Sequence, residues 1–149
     1  MVHIKSMNRH IYSFCTFTGL LLFCLTARAD DMWNTVYHDE DVTIELRRDY
    51  VTYGSDGMPQ VQFRWTFAAP RALKLTPGVS YKSRVETTAF DLAARRYRTI
   101  TLTLYDSSGK EIHFDGLVPS HGYDEIKPDS LMEGIFPRAK ELIESKHRK

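Results

Sequence analysis

The chain predicts an α+β domain: about six antiparallel strands packed on one face by a C-terminal helix. Three observations carry this. Apolar residues alternate with polar ones through the middle of the chain, turn residues punctuate the runs, and the period changes from two to about 3.6 near Ser130. Strands followed by a terminal helix give two layers sharing one core.

The first 29 residues stand apart. Arg9 and His10 precede an apolar run of fifteen residues, Ile11 to Leu25, which leads to Ala27-Arg28-Ala29, with nothing acidic before Asp30. Those are the three parts of a secretory signal, and the run is short of the ~20 residues that span a bilayer. Residues 1–29 are therefore expected to be a removed signal peptide and residues 30–149 one domain. Both cysteines, Cys15 and Cys24, would leave with the signal, and so would Lys5, Arg9 and Arg28, which takes the net charge from +1 to −2. A near-neutral domain lacks the basic footprint of a nucleic-acid binder. Beyond the signal, no membrane contact is expected.

A brief strand is expected around Thr35 to Tyr37. Val42, Ile44 and Leu46 alternate with Thr43, Glu45 and Arg47, which predicts a strand with one buried face. Asp49 to Gly57 then reads as a connection. Val61, Phe63, Trp65 and Phe67 predict the strongest strand, bounded by Ser55-Asp56-Gly57 and by Pro70. Ser80 to Phe90 and Arg95 to Tyr105 read as a hairpin closed by Asp91 to Ala94. Its expected register sets Phe90 opposite Arg95 and Val85 opposite Ile100, with Lys82, Arg84 and Glu86 facing Thr103, Thr101 and Thr99. Asp106 to Gly109 is a turn composition, and Glu111 to Phe114 is expected to return as an edge strand.

Ser130 and Glu133 have capping-box spacing, and Ile135, Ala139, Leu142 and Ile143 recur at helical spacing. Pro137 predicts a break, with one turn near Leu131 to Gly134 and a helix from Pro137 to Lys146.

Several segments resemble the surface-adhesin protein E family of Gram-negative bacteria. The resemblance rests on Tyr81-Lys82-Ser83, Glu86, Asp91, Ala93 to Arg98, Tyr105-Asp106 and Gly109. Tyr123-x-x-Ile126-x-Pro128-x-Ser130 is similar to the family's lead into its last helix, and Trp33 and Val36 to its first strand. None of these is a catalytic motif. The resemblance implies an exported six-stranded sheet with a helix on its back, and adhesion to host matrix or serum proteins. Where the family has a cysteine after the hairpin aspartate this chain has Leu92, and the partner cysteine of the last helix is also missing. Leu92 is expected to pack on Leu142 or Ile143 in place of a disulfide, leaving the helix the loosest element, since a removed disulfide costs about 2–5 kcal/mol and a buried leucine returns about 1.5–3.

The expected binding surface is the polar face of the hairpin, with Lys82, Arg84, Arg95, Arg96, Tyr97 and Arg98, because Arg and Tyr dominate interface energetics. Tyr81, Leu92, Leu142 and Ile143 are the expected structural positions. His38-Asp39-Glu40-Asp41 lacks the spacing of a calcium loop and reads as a solvated turn. Ser120, His121 and Asp124 lie too close in one loop to converge as a triad. His113 and His147 have no second ligand at zinc spacing, and Lys146 to Lys149 reads as a frayed basic tail. No metal, cofactor or catalytic residue is expected. The function that follows is an exported, non-enzymatic module binding a protein partner, either a host protein or an envelope component, in the periplasm or at the cell surface. A periplasmic accessory subunit and a small hydrolase are the rivals, and a free sheet edge would permit homodimers.

Overall fold

The computed structural model describes residues 32–74, 76–112 and 122–148. The expected signal segment, both cysteines, His113, Phe114, Ser120, His121 and Lys149 lie outside the described residues.

Among the described residues, seven strands form one antiparallel sheet in chain order: β1 (Trp33–His38), β2 (Val42–Tyr53), β3 (Pro59–Ala72), β4 (Ser80–Asp91), β5 (Arg96–Tyr105) and β6 (Glu111–Ile112), with β7 (Asp124–Glu125) also on β5. The α+β architecture predicted from periodicity is the architecture observed. β7 has no periodic signature, because two residues cannot show one.

Several boundaries move for identifiable reasons. β2 continues to Tyr53 because its ladder with β3 is interrupted after Leu46 and resumes at Val51 opposite Val61, so the connection to β3 is shorter than expected. β3 runs past Pro70 because the register with β4 also shifts between Thr66 and Arg71. A proline there costs no ladder bond.

The central hairpin departs most. Phe90 pairs with Tyr97 rather than Arg95, and Val85 with Thr103 rather than Ile100. The turn is Leu92 to Arg95: the Asp91 carboxylate accepts from the Ala94 amide at 2.9 Å, and Arg95 takes a left-handed φ of 52°. That moves the pairing by two positions, and a bulge at Ile100 of β5, between the pairs Thr88–Thr99 and Thr87–Thr101, adds a third. Against β3 the register of β4 is unbroken from Ala89 to Ser83, and it sets Arg84 and Glu86 opposite Trp65 and Phe63 on the core side and Val85 opposite Arg64 on the outer side.

The helix, α1 (Leu131–His147), is continuous through Pro137, contrary to the expected break. Met132, Ile135 and Phe136 before the proline, and Ala139 and Ile143 after it, are all buried, so tertiary packing on both flanks holds what local propensity opposes. Ser130 caps the helix as expected, its hydroxyl accepting from the Glu133 amide at 3.2 Å. The Glu133 carboxylate reaches one residue further back, to the Asp129 amide, at 2.8 Å.

The helix packs on one face of the sheet. Its residues join Val42, Ile44 and Leu46 of β2 and Val61, Phe63, Trp65 and Phe67 of β3 in one buried cluster with Phe90 and Ile126. A Cβ at Gly134 would sit 3.8 Å from the Tyr37 ring of β1, while neighbouring Glu133 pairs with Arg95 in the β4–β5 turn at 3.3 Å. One turn of α1 thus links β1 and the β4–β5 turn through side chains.

Candidate functional site

The expected basic surface is divided among different surroundings. Arg84 lies on the core side, its guanidinium 4.4 Å from the centre of the Trp65 ring and its Nε 3.4 Å from Glu86, an ion pair without hydrogen-bond geometry. Tyr97 is also on that side, packed against the buried cluster, and burial raises its hydroxyl pKa. Lys82 donates to the Ala68 carbonyl in the β3 irregularity. Arg96 and Arg98 face the other way, opposite Asp91 and Ala89.

Each arginine near the turn has its own carboxylate. Arg95 pairs with Glu133 at 3.3 Å and lies over the Phe136 ring at 5.3 Å. Arg96 pairs with Asp91 at 2.7 Å and Arg98 with Asp56 at 3.3 Å. Tyr123 lies under both Arg96 and Arg98, and its hydroxyl donates to Asp56 at 3.0 Å. The amide of Met58, the Tyr123 hydroxyl and Arg98 hold the Asp56 carboxyl below its ordinary range. This is a clasp that fastens β7 and the β2–β3 turn to β5. Sequence reasoning missed Asp56 and Tyr123 because nothing local links residues 42 and 67 positions apart.

The structural positions are internal. Tyr81 meets Phe67 edge to face at 5.7 Å, and Ile143 is wholly buried. Leu92 and Leu142 both pack against the buried cluster that contains Ile143. Glu133 and Phe136 are the helix residues that meet Arg95 of the β4–β5 turn, and Leu142 also lines a groove with Val36 and Leu46.

The acidic turn is occupied with itself. Asp39 accepts from the amides of Asp41 and Val42, each at 2.8 Å, and from the Tyr37 hydroxyl at 2.8 Å, which together lower its pKa. Asp124 pairs with Tyr97 in β7. His147 lies in the last turn of α1 rather than in a frayed tail, 2.7 Å from the Tyr53 hydroxyl. Among the described residues, no three His, Cys, Asp or Glu side chains group as a metal site would, and no helix is long and apolar enough to cross a membrane.

The sheet edge offers more. β1 pairs with β2 alone among the described strands, whereas the far edge, β5, carries β6 at one end and β7 at the other. Along β1 runs a groove of about 600 Å³, floored by Asn34, Val36 and Leu46 and walled by Arg138, Leu142 and Lys146 of α1. The edge contains neither proline nor lysine, two of the residues that discourage strand addition. At its start the Trp33 ring packs under Arg64 at 4.9 Å.

No protein family, curated protein or solved structure matches the chain.

Proposed function

We propose that the chain is an exported, non-enzymatic interaction module of the bacterial envelope, adhesin-like in kind, which binds a host matrix or serum protein or an envelope component. The signal-like first 29 residues support export. The resemblance to the adhesin E family supports the kind of function. The observation that carries the reading is the edge position of β1, which pairs with β2 alone among the described strands, beside its groove, because an edge strand with a pocket alongside supplies main-chain hydrogen bonds for affinity and side-chain contacts for specificity. The hairpin arginines contribute less than their number suggests, since each is engaged within the domain.

A photo-crosslinking side chain at Thr35, an exposed residue in the middle of β1, tests this in living cells. The expected result is one discrete adduct, absent when the crosslinker stands at exposed Lys140 on α1. Protease added to intact cells then assigns the compartment. Loss of the protein means a surface adhesin, and protection means a periplasmic accessory subunit. No adduct from β1 would remove the edge from the function.

A further inference from the structure

Resting on that reading, we infer that β1 and its groove receive an extended protein segment with the pattern acidic-x-apolar-x-acidic, added as an antiparallel or parallel eighth strand. α1 runs alongside β1 in the opposite direction: Gly134 lies by Tyr37, while Leu142 and Lys146 share the groove with Asn34. The wall it presents follows from helical spacing, for Arg138, Leu142 and Lys146 stand four residues apart on one side. Successive members of that row are ~6 Å apart along the axis, and the two cations ~12 Å. In an added strand, side chains on one face recur every second residue, ~6.8 Å apart, and the first and fifth residues are ~13.6 Å apart. The two rows match closely enough for residues one, three and five of a partner to meet Arg138, Leu142 and Lys146 in one order or the other.

Charge selects the partner's sign. Two cations of α1, Arg138 and Lys146, line the groove against the single carboxylate of Glu141. Glu141 pairs with Arg138 at 3.1 Å, but both side chains are about two-thirds exposed, at 68% and 66%, and such a pair is weak enough for an incoming carboxylate to exchange. Lys146 also lies within the field of Asp49, which Arg47 already pairs at 2.8 Å. The middle position is apolar because Leu142 and Val36, both half-buried, face the groove between the cations.

The test uses protein purified from cells expressing the full chain and four fluorescent peptides. One has glutamate, leucine and glutamate at alternate positions, one has lysines for the glutamates, and two are the first peptide with one or the other set of alternate backbone amides methylated. Anisotropy titrations are expected to show the acidic peptide binding at least about tenfold more tightly than the basic one. Methylation on the edge-facing side should abolish binding. The double variant Arg138→Glu, Lys146→Glu, altered only at exposed positions, should reverse the preference while leaving the circular dichroism spectrum unchanged. Equal affinity for the two charge types, binding that survives methylation on either side, or a dimer closed through β1 would each overturn the inference. If no peptide binds while Thr35 still crosslinks in cells, the assigned chemistry fails and the interaction reading stands. If both experiments are negative, the interaction reading fails too.

Discussion

Glu86 is a carboxylate on the core side of a sheet, 4% exposed, with the Trp65 indole N–H donating to it at 2.8 Å and Arg84 on its other side. Burial raises its pKa against the opposing pull of Arg84 and Trp65. A group that holds its proton more tightly when folded makes the folded state bind more protons between its unfolded and folded pKa values, so stability falls as pH rises through that window. Asp39, Asp56 and Asp91 act in the other sense. Their carboxyls are held low by hydrogen bonds and arginines, so their contribution is present above the ordinary carboxylate range, ~4, and is lost in acid. Glu86→Gln keeps an acceptor for the indole and removes the titration. Urea midpoints measured from pH 4 to pH 8 should show the variant gaining on the wild type as pH rises. A variant that instead loses ground to the wild type as pH rises would mean that Arg84 attracts the carboxylate more strongly than burial repels its charge. The same residue shows why the sequence misassigned a face: Arg84 and Glu86 look like solvent residues, and only their pairing opposite Trp65 and Phe63, on the face shared with buried Phe90, shows that they point inward.

Among the elements, α1 shows where local signals mislead and where they serve. Ser130 fixed its start correctly, because a cap is chemistry between residues three apart. Pro137 misled, because five buried side chains on both flanks override a local penalty. That penalty is still present in the folded state. Pro137 is exposed, so Pro137→Ala restores an amide without disturbing the core and should raise stability by about 1–3 kcal/mol, read from the denaturation midpoint. The helix is nonetheless held to the sheet by side chains, the polar contacts at its ends to Arg95 and Tyr53 included. Its amides should therefore exchange with deuterium faster than those of β3 and β4, which are hydrogen-bonded to neighbouring strands on both sides. Equal protection would show that helix and sheet open as one unit. Strand existence was legible wherever alternation ran for four residues or more, as from Val61 to Phe67. Registers were not, because the bulges after Leu46, Thr66 and Thr87 carry no marker in composition.

At the scale of the whole molecule, the predicted binding cluster and the candidate site lie in different places. Sequence reasoning favoured Arg95, Arg96 and Arg98 because they are adjacent in the chain and carry one sign. The carboxylates that engage them come from the β2–β3 turn, the end of β4 and the start of α1, and those juxtapositions exist only after folding. The groove beside β1 was invisible for the same reason, since its walls are about 100 positions apart in the sequence. One arrangement has a mechanical meaning. The chain enters the domain through β1, the outermost strand, which is bonded to β2 alone among the described strands. Tension applied through the N-terminal side therefore meets the sheet at an edge seam and can unzip β1 before the strands behind it feel the load. A captured strand would clamp β1 between two neighbours, so the protein should resist pulling hardest while it is holding something.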